Sequence, residues 1–136
     1  MDTLLTKRER DCLIAIGDNS AEFPIRLVDL SRIMHIKPPS AIEILKKLEK
    51  YNFVARKDGM VVLTADGMEE YHKLLTSHRL FETLFVRMGI DEEKACEEVS
   101  SFDFMMEEKT VMDIMAGMGM PKVCPHGKPI SDENMH

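Results

Sequence analysis

The chain has 136 residues, 44% of them hydrophobic and 31% charged, a balance that indicates a folded protein of one domain or two small ones. No apolar run approaches the roughly 20 residues that a membrane-spanning helix needs, and the polar N-terminus does not resemble a signal peptide. We therefore expect a cytoplasmic protein without a membrane partner. Its three cysteines are too few and too dispersed for a disulfide framework, so we expect thiols or metal ligands.

The formal charge of −6 is unevenly distributed along the chain. Residues 1–60 hold 11 Lys/Arg and 9 Asp/Glu, which gives +2, whereas residues 61–136 hold 7 and 15, which gives −8. The asymmetry favours an N-terminal part that faces DNA and an acidic C-terminal part whose carboxylates need metal or solvent.

Three helices are predicted in the first fifty residues. The first begins after Thr6, a typical N-cap residue, and ends at 17–20. The second runs from about Arg26 to Met34, and its predicted buried residues are Leu27, Leu30 and Ile33. A tight turn at 35–37 leads to a third helix that opens with Pro38, where proline is tolerated because its missing N–H would be unpaired anyway. A short helix, a tight turn and an amphipathic helix form the helix-turn-helix pattern.

Asp58-Gly59 separates two β-prone runs, residues 53–57 and 60–63, which is a strong signal for a β-hairpin. A hairpin directly after a helix-turn-helix is a wing. The first part of the chain, residues 1–64, is therefore predicted to be a winged helix-turn-helix.

The remaining residues, 65–136, are predicted to be all-helical. Thr64 or Asp66 caps a long helix that runs to about Met88 and is closed by Gly89. Further helices are expected at about 91–102 and 107–116. The polar, Pro/Gly-rich segment after Met118 is expected to be ordered only if something anchors it.

The third helix is the predicted DNA-reading element. A recognition helix directs its N-terminal residues to base edges while phosphate contacts fix its register. The residues expected near the bases are Lys37, Pro39, Ser40 and Glu43, and those expected near phosphates are Lys46, Lys47, Arg26 and Arg56. The alternatives are that these charges form only a solvated helix face, or that the winged helix binds protein instead of DNA.

A second group of residues suggests a metal site. His78 and Glu82 are four residues apart, so a helix presents them on one face. Cys124 and His126 lie in a loop that could fold back on that face, and Cys96 could join them. Imidazole, carboxylate and thiolate together are typical transition-metal ligands. Two alternatives are a zinc site that only staples the tail and nucleophilic catalysis by Cys124. No oxyanion or phosphate-binding loop accompanies that cysteine, so we expect no enzyme.

With these motifs in this order, the chain resembles the diphtheria toxin repressor family of metal-dependent transcriptional regulators, which includes iron-dependent regulators and manganese-sensing relatives. The motifs that carry the resemblance are Arg26, Pro38-Pro39-Ser40, Leu63–Gly67, His78–Glu82 and Cys124–Ile130. The resemblance implies a homodimer that binds a palindromic operator when Fe(II) or Mn(II) is bound and controls metal-homeostasis genes. It also implies that residues 65–136 form a metal-binding and dimerisation domain with a C-terminal tail.

The resemblance also implies ligands. His78 and Glu82 match family ligands, Cys124 and His126 match ligands of the branches with this loop motif, and Cys96 replaces a histidine. We expect Fe(II), with Mn(II) or Zn(II) as alternatives, because thiolate disfavours Mn(II).

The family's second metal site is expected to be degenerate here. Its matching positions are Asp11, Ser100, Asp103 and Phe104, and phenylalanine cannot coordinate a metal. Many members also carry an SH3-like domain, for which this chain is too short.

Overall fold

The computed structural model describes residues 5–131, which are mainly helical. The first helix, α1 (Lys7–Asn19), begins with a reciprocal cap at Thr6. Glu9 N donates to Thr6 Oγ1 at 3.2 Å, and Thr6 N donates to Glu9 Oε1 at 3.0 Å. This capping box satisfies two helix-end donors that would otherwise be unpaired.

The helix-turn-helix consists of α2 (Leu27–Ile33) and α3 (Pro38–Lys50). The predicted apolar face of α3 is buried along its whole length: Ala41, Ile44, Leu45 and Leu48. In α2 Leu30 is buried as predicted and Leu27 is only half-buried, but the prediction for Ile33 was wrong, because its side chain is 42% exposed. Steps of three residues rotate the face by about 60° each, so Ile33 has turned about 120° away from Leu27. Ser31 is buried instead.

A small antiparallel sheet completes the winged fold. Its strands are β1 (Ile25–Arg26), β2 (Val54–Lys57) and β3 (Met60–Leu63), in the order β1-β3-β2. The predicted hairpin is present, and Asp58 and Gly59 both have positive φ (53° and 75°), as the tightest hairpin turns require. The two-residue β1 was not predicted, because so short a strand has no periodicity.

The long helix α4 (Ala65–Arg87) follows the wing directly. Thr64 Oγ1 caps it by accepting a hydrogen bond from Gly67 N at 3.0 Å. A Cβ atom at Gly67 would lie only 1.8 Å from the backbone oxygen of Phe53. Glycine is therefore required where the first turn of α4 passes the start of the wing.

The last helices are α5 (Glu92–Val99) and α6 (Glu108–Gly117), with a 3₁₀ turn at Asp103–Met105 between them. The predicted α5 extended to 102, but Ser100 and Ser101 donate their hydroxyls to the carbonyls of Cys96 and Glu98. Such side-chain bonds compete with continuation of the helix.

The chain divides into two compact units between Tyr71 and His72. The predicted boundary after residue 64 lies at the start of α4, whereas this division falls within that helix. The second unit has its own apolar core, which consists of Leu80, Phe81, Val99, Val111, Met115, Cys124 and Ile130. The mainly helical fold with a winged helix-turn-helix is confirmed.

Within residues 5–131, none of the helices combines the length and apolarity that crossing a membrane demands.

Two glycines make a matched test of packing around α4. Gly67→Ala should lower the free energy of unfolding by about 1–3 kcal/mol, because the new methyl overlaps a backbone oxygen. Gly117→Ala should be neutral or stabilising by up to about 1 kcal/mol, since nothing lies within 4 Å of its Cβ position. Urea unfolding followed by circular dichroism measures both, and equal midpoints for the two variants would contradict the described contact.

Candidate metal centre

Two predicted ligands share one face of α4. His78 Nε2 lies 3.6 Å from Glu82 Oε2. Their neighbours Leu80 and Phe81 belong to the core of the second unit, and this packing holds the helix in place. As a result Glu82 is only 1% exposed, an unusual environment for a carboxylate.

Cys96 reaches the same place from α5. Its Sγ lies 3.4 Å from His78 Nε2. Burial of Ala95 and Val99 fixes the orientation of α5. The donor atoms of His78, Glu82 and Cys96 all lie within 4.8 Å of one another.

Asp103 orients the imidazole of His78. Its Oδ2 lies 2.9 Å from His78 Nδ1, and the Asp103 side chain is fully buried. A carboxylate accepts hydrogen bonds, so Nδ1 carries the proton and the lone pair of Nε2 points toward Glu82 and Cys96. Ser77 Oγ, which donates to the Asp103 carbonyl at 2.7 Å, holds the 3₁₀ turn in position.

The C-terminal segment is folded against the second unit. Val123 and Pro129 form a β-bridge, and the intervening loop turns at Gly127, whose φ is +79°. Ile130 is 1% exposed in the core, and Arg79 Nη1 donates to the Pro129 carbonyl at 2.7 Å. We expected this segment to be ordered only if something anchors it. Burial of an apolar side chain and hydrogen bonds provide that anchor.

This loop brings two more donors to Glu82. Cys124 is 5% exposed, and its Sγ lies within 4.8 Å of donor atoms on Glu82 and His126. His126 Nδ1 lies 3.3 Å from Glu82 Oε2, and its Nε2 lies 3.2 Å from Glu92 Oε1. The other four predicted ligands thus surround the buried carboxylate of the fifth, Glu82.

Glu92 is a residue beside these candidate ligands that sequence reasoning missed. It is four residues before Cys96, so α5 carries a second pair at the spacing of His78 and Glu82. That repeated spacing could have identified Glu92 from the sequence. The position of Glu92 opposite His126, however, depends on the fold of the C-terminal loop.

The Glu82 carboxylate supplies the test of whether a metal fits. Among the described residues, no donor forms a hydrogen bond with its buried Oε2, although two imidazole nitrogens approach it. A buried, unsatisfied carboxylate oxygen is costly. The separations of 3.3, 3.4 and 3.6 Å between donor atoms match the roughly 3.3–3.8 Å expected for ligands tetrahedrally bound at about 2.0–2.3 Å. The residues therefore fit a divalent transition metal.

The two residues of the predicted second site belong to different units of the chain. Asp11 is bound by Lys7 Nζ at 2.6 Å and by Arg10 Nη1 at 3.1 Å, all within the first unit. Asp103 is engaged with His78 in the second unit. A degenerate second site at Asp11 and Asp103 stays a prediction.

The predicted DNA-contacting residues all belong to the first unit and are exposed: Arg26, Lys37, Pro39, Ser40, Glu43, Lys46, Lys47 and Arg56. Arg56 on the wing forms bonds with Glu49 of α3, at 2.8 Å from Nε and 2.7 Å from Nη2. This pair ties the wing to the recognition helix, so a phosphate contact by Arg56 would compete with Glu49.

A comparison with family models identifies the second unit. The model described as the iron dependent repressor, metal binding and dimerisation domain matches residues 64–132, about half of the chain. The chain belongs to the iron-dependent repressor family. This confirms the expected relationship to the diphtheria toxin repressor family, whose members are transcriptional regulators and not enzymes.

Similar proteins extend this relationship over most of the chain. A hypothetical protein from Sulfolobus solfataricus has a TM-score of 0.80 at 30% identity, covering 94% of this chain and 100% of that one. The structure of T. acidophilum IdeR has a TM-score of 0.71 at 25% identity, covering 100% of this chain but only 63% of that chain. An uncharacterized HTH-type transcriptional regulator from Methanocaldococcus jannaschii is 28% identical over 88 residues, 63% of this chain and 70% of the relative.

Cys12 provides a test of the burial in α1. Burial raises the pKa of its thiol to about 12, and the nearby Asp11 carboxylate adds to the effect. At pH 8 only about one molecule in ten thousand carries the reactive thiolate at this position. Alkylation by iodoacetamide, followed by peptide mass spectrometry, should therefore modify Cys12 very slowly in the folded protein. The rate should rise with pH, and comparable labelling of Cys12 in folded and denaturant-unfolded protein would contradict the prediction.

Ile130 tests how the C-terminal segment is held. Ile130→Ala should destabilise the chelator-treated protein by about 2–5 kcal/mol, because it leaves a cavity in the core of the second unit. Val123→Ala is the matched control, since Val123 is 59% exposed, and should have little effect. Thermal or urea unfolding measures both; equal stability of the two variants would show that this segment is not packed without metal.

Proposed function

We propose that this protein is a metal-dependent transcriptional repressor that binds operator DNA as a homodimer and controls metal-homeostasis genes. It would act in the cytoplasm, where its operator DNA lies. The observation that carries the proposal is the buried Glu82 carboxylate, whose Oε2 is surrounded by imidazoles and lacks a hydrogen-bond donor among the described residues.

His78, Glu82, Cys96, Cys124 and His126 would hold the metal. A divalent ion would compensate the negative charge of the buried carboxylate, and it would bind thiolate and imidazole at the same time. Asp103 and Glu92 would keep the two imidazoles turned toward it, as carboxylates commonly do for metal-bound histidines.

The donor set favours Fe(II). Two cysteines and two histidines form a softer set than the oxygen-rich sites that Mn(II) prefers. Zn(II) fits the same donors, so cellular availability would decide between iron and zinc. Mn(II) is the weakest of the three candidates.

DNA binding would use the exposed N-terminal end of α3, with the wing alongside. Lys37, Ser40 and Glu43 are exposed in or just before its first turns and would face base edges. Lys46 and Lys47 would contact phosphates. The membership of the chain in a repressor family supports DNA over a protein partner.

Helix α4 would connect the metal to the DNA-binding unit. One continuous helix carries the close approach of Gly67 to the Phe53 backbone near its start and the pair His78 and Glu82 further along. Metal that holds α4, α5 and the C-terminal loop together would restrict the conformations of the dimer. DNA binding would then be favoured when the remaining dimer conformations hold the two recognition helices at the spacing of the operator half-sites.

One observation favours a second candidate, a winged-helix DNA-binding regulator with a purely structural zinc site. Cys124 belongs to the apolar core of the second unit, so metal bound there would stabilise the fold. In that case operator binding would persist after chelation as long as the fold is intact.

A DNA-binding titration separates the two candidates. Fluorescence anisotropy with DNA from upstream of the protein's own gene should show at least tenfold tighter binding with Fe(II) than with chelator. Glu82→Gln should abolish that difference while leaving the circular dichroism spectrum unchanged, because the amide lacks the charge. Glu93→Gln, at an exposed position on α5, is the control. Metal-independent affinity of the folded wild-type protein would overturn the proposal.

Salt dependence tests the contact of α3 with phosphate. Lys47→Ala should reduce the slope of log affinity against log salt concentration by about 1.8, because the dimer loses one phosphate contact in each of two half-sites and each contact is worth about 0.9. Lys109→Ala, in α6 of the second unit, is the matched control and should leave the slope unchanged. Equal slopes for the two variants would remove Lys47 from the DNA interface.

A further inference from the structure

The last turns of α1 contain two residues that a helix does not favour at their positions. Gly17 lies inside the helix, where glycine is one of the poorest helix formers. Asp18 lies in the last turn, where its carboxylate is close to the negative end of the helix dipole and no basic residue of that turn compensates it. Neither residue stabilises α1 by itself, so the reason for both lies in a contact outside this helix.

Tyr71 of α4 makes that contact with both residues. Its ring covers Gly17 so closely that a Cβ atom there would lie 2.3 Å from the ring carbons Cδ1 and Cε1. Its hydroxyl donates to Asp18 Oδ1 at 2.5 Å, a length typical of a strong hydrogen bond to a charged oxygen. Tyr71 is buried, and all three residues belong to the first unit. The end of α1 is therefore shaped to hold this one side chain.

The face of α4 that carries Tyr71 also carries two candidate metal ligands. His78 and Glu82 follow Tyr71 by seven and eleven residues, which places both within about 20° of it around the helix axis. His78 is about 10 Å further along that axis. Because α4 is one continuous helix over this whole stretch, a rotation of its metal-binding part about the axis turns Tyr71 as well.

Gly67 and Tyr71 hold α4 at two successive turns. Gly67 approaches the Phe53 backbone closely, and a close approach at a single point still allows a helix to pivot. The hydrogen bond from Tyr71 to Asp18 adds a second point with a defined direction. Together the two contacts fix how α4 leaves the first unit.

Helix α1 is built into the DNA-binding unit. Its residues Cys12, Leu13 and Ile16 are fully buried, and α1 packs against the recognition helix α3. Close-packed interiors transmit displacement because they contain few voids. An α4 that is fixed to α1 is therefore also fixed in orientation relative to α3.

We propose that the contact of Tyr71 with Gly17 and Asp18 couples metal binding on α4 to DNA binding by α3. Tyr71 is a positioning residue, which acts through α1 and fixes the angle at which α4 leaves the DNA-binding unit. Without the hydroxyl bond α4 binds metal as before, but the orientation of the recognition helix follows less strictly. The inference rests on the metal-dependent repression proposed above and adds the residues that transmit it.

Tyr71→Phe tests the coupling, because it removes the hydroxyl and keeps the ring. The measured quantity is the ratio of operator affinities with Fe(II) and with chelator, from fluorescence anisotropy. The variant should lower the wild-type ratio by about threefold or more, while its affinity for Fe(II) in the absence of DNA stays unchanged. Tyr51→Phe, at the only other tyrosine of the sequence, is the matched control and should keep the wild-type ratio.

Substitutions at Asp18 separate coupling from stability. Asp18→Ala removes the acceptor but favours the helix and relieves the charge at its C-terminal end, so the urea midpoint should fall little. It should reduce the affinity ratio as Tyr71→Phe does, and the double variant should reduce it no further than either single change. Asp18→Asn keeps an oxygen that accepts from the hydroxyl and should retain most of the wild-type ratio.

Hydrogen exchange provides a readout that does not involve DNA. In the wild-type protein, Fe(II) should slow amide exchange at the end of α1, residues 16–20, and in α5 around Cys96. Tyr71→Phe should abolish the slowing in α1 and retain it in α5, since the metal still binds but its effect no longer reaches α1.

Two results would overturn the coupling through Tyr71. One is an equal affinity ratio for wild type, Tyr71→Phe and Tyr51→Phe. The other is a Tyr71→Phe protein that binds DNA more weakly by the same factor with metal and with chelator, which would mean that Tyr71 only supports the fold. Metal-dependent repression stands in both cases. Metal-independent DNA binding by the folded wild-type protein would instead overturn the proposed function, and this coupling with it.

Discussion

The structure of the second unit depends on one carboxylate that has been removed from water. Glu82 is 1% exposed, next to Leu80 and Phe81 in the sequence, and its Oε2 has no hydrogen-bond donor among the described residues. Hydrogen-bond donors or a cation can offset the cost of burying such an oxygen, and a cation is the partner that suits the donors around it. The apolar core, the two imidazoles and the flanking carboxylates can all be understood as the surroundings that a bound cation requires.

The C-terminal loop has two roles that are physically linked. Cys124 and Ile130 fill the core of the second unit, while Cys124 and His126 also present donors to Glu82. Because packing and hydrogen bonds already hold the loop, the entropy cost of ordering it falls on folding and not on metal binding. A preordered loop of this kind favours a centre that responds to metal without unfolding when metal leaves.

The DNA-binding unit is held together by contacts that do not involve the candidate metal ligands. The capping box at Thr6, the glycine contact at the start of α4 and the Arg56–Glu49 pair fix its parts to one another. A metal signal would therefore not need to reshape the recognition helix. In the proposed homodimer it would act on how the two copies of this unit are presented to DNA, through the continuous helix α4.

The sequence by itself determined the mainly helical fold and the wing, and it predicted the five candidate ligands, because these depend on local signals: caps, an Asp-Gly turn, i,i+4 spacing and a compact Cys-Pro-His-Gly loop. Tertiary structure decided the rest. Only the fold places Asp103 against His78, Glu92 opposite His126, and Glu82 near both Cys96 and Cys124, since the members of these pairs are 14 to 42 positions apart in the chain. Long-range packing also buried Ser31 and exposed Ile33, which periodicity in a seven-residue helix could not resolve. Local patterns specify which side chains can bind a metal. The core that brings remote segments together determines which of these side chains lie close enough to share one.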